Sequence, residues 1–400
     1  MRMASIRILA LHRVSVGVEA AFVSECLSEA GAPAAPSPGG PVRGERDSRL
    51  QHARIRSTPA GRVEVATDAT SAARPSACSP SVDLLEPRHL AALNRRHDAP
   101  ALRQLGLHLG LIVVGAALWS LALQPATPWA RSLPPPWHLP LALAGLLLLG
   151  WALAFSFCAM HECGHRTAFA SRRLNDTVAW WAGVLSFYNA DFYRRYHQWH
   201  HRYTHLPGLD PELEDRPPSS LGAYLLELSG LPWWAVKFRG HWAGLRGDFG
   251  GRAYITADAI PALRRSLGLQ ALVYALLALA SLPAGNGFLL WYWLLPLAVG
   301  QPLLRFVLLA EHGGCPCVAD GLRNTRTTHT LAPLRRLMWN MPFHAEHHLY
   351  PSLPFHALAR AHRALAPGLQ VVSPGYLAVH RGFLSDLTAL ALPPQASPRA

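Results

Sequence analysis

The sequence predicts an all-α membrane protein, with four transmembrane helices and a cytosolic helical cap that carries a histidine-rich site for two metal ions. Three observations lead to this fold class. Half of the 400 residues are apolar and only 15% are charged, whereas soluble chains average about 25% charged residues. Four apolar runs approach or reach the length of a membrane span. Three histidine clusters lie outside those runs.

The N-terminal region differs in composition from the rest of the chain. Residues 1–82 are rich in Ala, Ser, Pro, Gly and Arg and show no sustained apolar period, which predicts a disordered extension. One membrane domain is expected over residues 83–385, followed by a flexible tail over residues 386–400.

The four apolar runs are the expected spans, near residues 105–123, 141–157, 267–282 and 288–310. A helix of 19 residues rises by roughly 28 Å, about the thickness of the hydrocarbon core. The second run continues without a helix breaker into the first histidine cluster. Pro296 and Pro302 are expected to bend the fourth helix. His108, one turn inside the first run, is expected to reach the membrane interface.

Arginine placement predicts the orientation of the chain. The segment between the first two spans holds only Arg131, and the turn between the last two holds no cation. By the positive-inside rule, both termini and the long central segment are cytoplasmic. No full span separates the first two clusters, and two spans separate the second from the third. All three clusters are therefore expected on the cytoplasmic side, where they can converge.

The clusters share a spacing that suits metal binding. They are His161-Glu-Cys-Gly-His165, His197-Gln-Trp-His200-His201 and His344-Ala-Glu-His347-His348. Positions i, i+3 and i+4 lie on one face of a helix, so each cluster can direct its imidazoles to one point. Eight imidazoles exceed the need of one tetrahedral metal. They suit two ions of zinc, copper, iron or nickel. Two surface helices ended by proline would also carry such patterns.

The order HxxxH, HxxHH and HxxHH, with two spans between the second and third clusters, resembles the membrane fatty acid desaturase superfamily over about residues 85–370. The resemblance implies a di-iron oxidoreductase that uses O2 as co-substrate and takes electrons from an external carrier. A further histidine often follows the fourth span in this superfamily, and His312 occupies that place. The implied iron ligands are His161, His165, His197, His200, His201, His312, His344, His347 and His348.

The activity implied by the resemblance is that of a fatty acyl desaturase, which introduces a C=C bond. A hydroxylase or ketolase of the same superfamily remains open, because box spacing does not separate these reactions. The acyl chain is expected to be linked to a lipid, to coenzyme A or to a carrier protein. The net charge of +13 suits anionic lipid headgroups and an acidic, ferredoxin-like electron donor. The four spans argue against nucleic acid as a partner.

Other polar residues are expected to orient the ligands by hydrogen bonds. These candidates are Glu162, Asp191, His205, Asp210, Glu311, Asn324 and Glu346. Several neighbouring residues are expected to stay outside the site. They are Glu212, Glu214 and Asp215 in a solvated acidic loop, His329, His356 and His362 as histidines that bind no metal, and Cys315 and Cys317 as free thiols.

Two other classes of protein remain as alternatives. His161-Glu-Cys-Gly-His165 also fits HExxH, the zinc protease motif, with Glu162 as general base. That interpretation leaves the six histidines of the other two clusters unexplained. A metal transporter needs polar ligands near the bilayer midplane, whereas these clusters lie beyond the ends of the expected spans.

Overall fold

The computed structural model describes residues 84–214, 218–282 and 287–391. The expected extension over residues 1–82, Asp215 and the end of the expected tail lie outside these residues. Most of the described chain is helical, and two short strands, Thr327–Thr328 and Val372–Ser373, pair in parallel. The predicted all-α membrane class, with four spans and a helical cap, is confirmed.

Among the described residues, four helices are long and apolar enough to cross a membrane, and each covers all or nearly all of one expected span. We call them the first to fourth spanning helices: Asp98–Leu123, Pro135–Gly164, Ala257–Ser281 and Leu290–His312. Their α-helical parts are Asp98–Leu123, His138–Gly164, Ile260–Ser281 and Leu295–His312. The second and third begin with 3₁₀ turns, Pro135–Trp137 and Ala257–Ala259, and the fourth begins with a π-helical segment, Leu290–Leu294.

The second spanning helix lies between the first and the fourth, and close backbone contacts fix its position. A Cβ atom on Gly300 would lie 1.9 Å from the carbonyl oxygen of Gly150, so the second and fourth helices cross with no side chain between them. His161 follows this crossing by 11 residues and His312 by 12. Both histidines therefore lie roughly 17 Å beyond the crossing, at 1.5 Å per residue.

His108 also fixes the second spanning helix, which differs from the expected role at the interface. The side chain is buried, and its Nε2 lies 2.8 Å from the carbonyl oxygen of Ala152 and 3.3 Å from Ser156 Oγ. The first helix thus presents a buried polar group to a carbonyl of the second. Burial of an imidazole requires such partners.

Helices also form most of the cap. Those between the second and third spans are Arg172–Ser186, Ala190–Tyr203, Leu221–Leu228 and Leu231–Leu245, with a 3₁₀ turn at Pro211–Glu214. Those after the fourth span are Ala332–Leu337, His344–Leu349, Phe355–Leu365 and Tyr376–Ala391. Two short helices, Pro87–Leu93 and Pro128–Arg131, precede the first span and the second. The last helix continues past residue 385, where the membrane domain was expected to end.

Local sequence sets the start of the helix that carries the second histidine cluster. Asn189 is its N-cap, and the side-chain oxygen accepts a hydrogen bond from the backbone N–H of Phe192 at 3.0 Å. Such a cap satisfies one of the free N–H groups of the first turn. The helix ends at Tyr203, and His205 follows with a positive φ of 59°. This turn directs the chain back toward Asp210.

Candidate metal centre

Four structural elements bring the nine predicted histidines together. The first box ends the second spanning helix, and His312 ends the fourth. The second box lies on Ala190–Tyr203, and the third on His344–Leu349. Nitrogen atoms of five histidines lie within 4.8 Å of one another, and those of three others form a second such group. We call the five, His161, His165, His197, His201 and His347, the first histidine set.

The first histidine set has nitrogen separations that suit a shared ion. Nε2 of His161 lies 2.7 Å from Nε2 of His197 and 3.0 Å from Nε2 of His347. Nε2 of His201 lies 3.0 and 3.1 Å from the same two neighbours. Two imidazole nitrogens bound at right angles to one metal, each at about 2.1 Å, lie about 3.0 Å apart. The donor set and its spacing therefore fit a metal ion.

The remaining four histidines form the second histidine set: His200, His312, His344 and His348. Nε2 of His312 lies 3.2 Å from Nε2 of His200 and 3.1 Å from Nε2 of His344. His348 belongs to this set because its ring centroid lies 4.7 Å from that of His312. With two sets side by side, the geometry fits two metal ions.

Outward hydrogen bonds orient three rings of the second histidine set. Nδ1 of His200 lies 2.9 Å from Oδ1 of Asp210, and Nδ1 of His312 lies 3.1 Å from the carbonyl oxygen of Asn324. Nδ1 of His348 lies 3.1 Å from Oγ1 of Thr204. A proton on each Nδ1 leaves the Nε2 lone pair free for a metal, which is how carboxylates and carbonyls commonly orient metal-binding histidines.

Burial keeps most of the box histidines neutral. It lowers the pKa of His197, His201 and His347 well below the usual range, and neighbouring histidines lower it further. Burial also lowers the pKa of His165 to about 3. Only neutral imidazole binds metal, so these four rings remain available as ligands at neutral pH.

His200 is the exception, because acidic groups surround it. Burial opposes its charged form, but the carboxylates of Glu212 and Asp210 raise its pKa above the usual value. Oε2 of Glu212 lies 3.7 Å from Nε2 of His200, and Glu212 joins His197 and His200 in a third possible ligand group. The expectation that Glu212 belongs to a solvated loop is therefore wrong. The preceding turn brings its side chain to the second box.

Three other carboxylates lie near the boxes. Oε2 of Glu311 is 3.6 Å from Nε2 of His344, and Oε1 of Glu162 is 4.0 Å from Nδ1 of His347. The carboxylate of Glu346, although it lies within the third box, faces away from the sets. It accepts hydrogen bonds from Thr327 Oγ1 at 2.5 Å and from His362. Glu346 therefore joins the third box to the strand and to the following helix.

Two of the polar candidates have other partners. Oδ2 of Asp191 accepts a hydrogen bond from Ser266 Oγ at 2.6 Å, and within the described chain Asp191 contacts no box histidine. The ring of His205 lies 5.5 Å from that of His312, with Nδ1 at 3.1 Å from the carbonyl oxygen of Pro316. The backbone N–H of His205 donates to Asp210 at 2.7 Å, so this residue helps to hold the partner of His200.

His362 and Arg326 contribute contacts that the motifs do not indicate. His362, expected to be uninvolved, is paired with the buried Glu346. Nη1 of Arg326 donates to the carbonyl oxygens of Ala310 and Gly313 at 2.6 and 2.7 Å, at the end of the fourth spanning helix. Cations favour the C-terminal ends of helices, and this one fixes the turn that carries His312. Only the tertiary fold brings these partners together.

Comparison with known sequences identifies the family. The pattern of the fatty acid desaturase family matches residues 136–379, more than half of the chain. The chain belongs to this family. The family assignment confirms the resemblance seen in the boxes, and the matched residues contain all three of them together with His312. The structure also argues against the zinc protease. The ring of His161 in the first box contacts His197 of the second box and His347 of the third.

Three relatives illustrate the similarity within the desaturase family. The chain is 27% identical over 271 residues to an sn-1 oleoyl-lipid 12-desaturase of Anabaena variabilis, covering 64% of this chain and 61% of that protein. It is 25% identical to the sn-1 oleoyl-lipid 12-desaturase of a Picosynechococcus species, covering 64% and 75%. A sphingolipid delta(4)-desaturase/C4-monooxygenase of Rattus norvegicus is 28% identical, covering 52% and 62%.

Proposed function

We propose that this protein is an O2-dependent membrane oxidoreductase that holds two irons and desaturates an acyl chain. The observation that carries the proposal is the convergence of nine imidazoles in two adjacent sets. Family membership and the names of the relatives support the same reaction class. A hydroxylase is the second candidate, because one relative is named as both a desaturase and a monooxygenase.

Each histidine set would hold one iron. The first set offers His161, His165, His197, His201 and His347, and the second offers His200, His312, His344 and His348. Imidazole is a suitable ligand for iron. When bound, the two irons would supply the activation of O2 and the removal of hydrogen from an unactivated carbon, with electrons from an external carrier.

The chain's own residues orient these ligands and keep water away from them. Asp210 and the carbonyl oxygen of Asn324 hold the Nδ1 protons of two ligands. Tyr193 stacks on His197 with ring centroids 5.0 Å apart, and Phe157 packs against Tyr193 at 5.3 Å. These aromatic rings form an apolar wall that would keep water away from the first histidine set.

The reaction can be tested with purified, iron-loaded protein, a ferredoxin-type reductant, O2 and a total lipid extract, followed by mass spectrometry of the products. We expect a product that has lost two hydrogens and gained a C=C bond. A product that has gained one oxygen would support the hydroxylase instead. Iron-loaded protein that consumes reductant but changes no lipid would contradict both.

Asp210 offers a test of ligand orientation. We expect Asp210→Asn to lower the iron affinity of the second histidine set about tenfold or more, the range typical for partners of metal-binding histidines, because the carboxylate holds both His200 and the backbone of His205. Iron per chain is measured by mass spectrometry of the metal. Asp191→Asn is the matched control, since Asp191 binds Ser266. Equal iron in both variants would exclude the proposed role of Asp210.

We also propose that the boxes and both termini are cytoplasmic. Reporters inserted at Gly208 and fused at Ala400 should then be found in the cytoplasm, and a reporter at Arg131 on the far side. The positive-inside rule supports this orientation. A reporter at Gly208 on the far side would disprove the orientation.

The exposed arginines next to the boxes, Arg202 and Arg323, suit an acidic electron carrier.

A further inference from the structure

Arg305 lies inside the fourth spanning helix, in a setting that a cation rarely occupies. Ionisable residues within a membrane span are costly and usually functional. The sequence suggests that its long side chain extends to the headgroups. Instead, Nη2 donates to Oη of Tyr188 at 2.8 Å, and the guanidinium lies 5.6 Å from the ring centroid of Trp233. Nε is buried and has no hydrogen-bond partner.

Among the described residues, no carboxylate forms an ion pair with Arg305. Glu311, the acidic residue closest to it along the helix, is directed to His344 at 3.6 Å. Within the described chain, the bond to Tyr188 is the one hydrogen bond of the guanidinium. Arg305 is partly buried, and a cation within a membrane span is costly unless it has a partner. The arrangement therefore favours binding of an anion from outside the chain.

Gln301 adds a second set of unused polar atoms on the same helix face. It precedes Arg305 by four residues, so the two side chains are neighbours. Gln301 is 0% exposed, and neither Nε2 nor Oε1 has a hydrogen-bond partner. It packs against Gly230, where an added Cβ would lie 3.0 Å from the Cβ of Gln301. Buried amides are normally hydrogen-bonded, so this one is available to a ligand.

Tyr188 completes the group and links it to the metal centre. Its hydroxyl oxygen accepts hydrogen bonds from Arg305 and from Trp233 Nε1, the latter at 2.9 Å, and its proton is donated to no described residue. The Tyr188 ring lies 4.9 Å from that of Phe157, which lies 6.0 Å from His161. The polar group is thus two ring contacts from the first histidine set.

We propose that Arg305, Gln301 and Tyr188 bind the anionic end group, a carboxylate or a phosphate, of the acyl substrate. This inference rests on the proposed function and defines its substrate class as a single chain with a charged end. An extended chain advances about 1.2 Å per bond. The ring contacts of Phe157 place Tyr188 no more than about 11 Å from His161, so we expect the reacting carbon within roughly nine bonds of the anionic end.

Equilibrium binding without reductant tests the site. The probes are palmitate, hexadecyl phosphate and methyl palmitate, competed against tritiated palmitate with the full chain in phosphatidylcholine nanodiscs. We expect at least one anionic probe to bind about tenfold or more tightly than the ester, as for buried charge pairs. The tighter of the two anions identifies the end group. Equal binding of all three probes would overturn the proposal.

Variants assign the preference to these residues. Arg305→Leu should reduce the preference for the anionic probe over the ester to about twofold or less. The reason is that the variant loses the charge pair from which we expect the preference to arise. Arg103→Leu removes an exposed arginine from the first spanning helix and should keep the preference. Iron content serves as the folding check. If Arg305→Leu does not fold, Tyr188→Phe and Gln301→Leu test the site in its place. An unchanged preference for the anionic probe in both variants would overturn the proposed site.

The binding test and the reaction test can fail independently of each other. A preference for anionic probes, together with no desaturated product from any lipid, would remove the proposed reaction and leave the site. Desaturation of neutral esters as readily as of free acids would remove the site and leave the reaction. If both tests succeed, the position of the new double bond, counted from the anionic end, measures how far that end lies from the metals.

Discussion

Replacing His347 by alanine should remove iron from the first histidine set and abolish turnover, while the protein still inserts into the membrane. Its Nε2 lies 3.0 Å from that of His161 and 3.1 Å from that of His201, so it joins the first box to the second. We expect iron to fall from about two per chain to one or fewer, by the ligand number that each set supplies. Metal analysis and product formation measure the effect.

His356→Ala is the control for this variant. His356 follows the third box, and its ring neighbours are His97 and Phe355 rather than any box histidine in the described chain. It should keep its iron and its turnover. Full iron and turnover in His347→Ala would exclude a metal centre built from all three boxes. His362 is not a suitable control, because it is paired with Glu346.

Replacing His312 by alanine should lower turnover, or the iron affinity of the second histidine set, at least tenfold, the range seen even for residues that only orient ligands. His312 belongs to none of the boxes. However, its Nε2 lies 3.2 Å from that of His200 and 3.1 Å from that of His344. Its Nδ1 is held by the carbonyl oxygen of Asn324. We therefore expect the loss to fall on the second histidine set.

The comparison of His312→Ala with His356→Ala decides the ninth ligand. If the two variants behave alike, the ninth ligand is another residue, and His205 is the next to test because its ring lies 5.5 Å from that of His312. Loss of one iron in His312→Ala with the other retained would further show that the two histidine sets bind metal independently.

The boxes and spans were predictable because both depend on short-range patterns. Spacing of three and four residues places imidazoles on one helix face, as in the helices Ala190–Tyr203 and His344–Leu349. Long apolar runs likewise indicate spanning helices. His312 was predictable from the resemblance, as the histidine that follows the fourth span. In each case a few neighbouring residues contain the whole signal.

The contacts that join distant segments were not predictable in this way. Glu346 meets Thr327 and His362, which lie 19 and 16 residues away along the chain. Glu212 reaches His200 because a turn intervenes. Arg305 meets Tyr188 across 117 residues, whereas its sequence context suggests a side chain at the headgroups. Such pairings depend on how the helices pack, and no short-range sequence pattern indicates them.

The contact between Gly150 and Gly300 has a consequence for the dependence of this enzyme on its membrane. Spanning helices adjust their tilt to the thickness of the bilayer. If the second and fourth helices tilted independently, each degree would displace His161 relative to His312 by roughly 0.3 Å over the length beyond the crossing. Backbone contact without intervening side chains leaves the two helices little room to move apart at the crossing. We therefore expect the spacing of His161 and His312 to depend little on lipid composition.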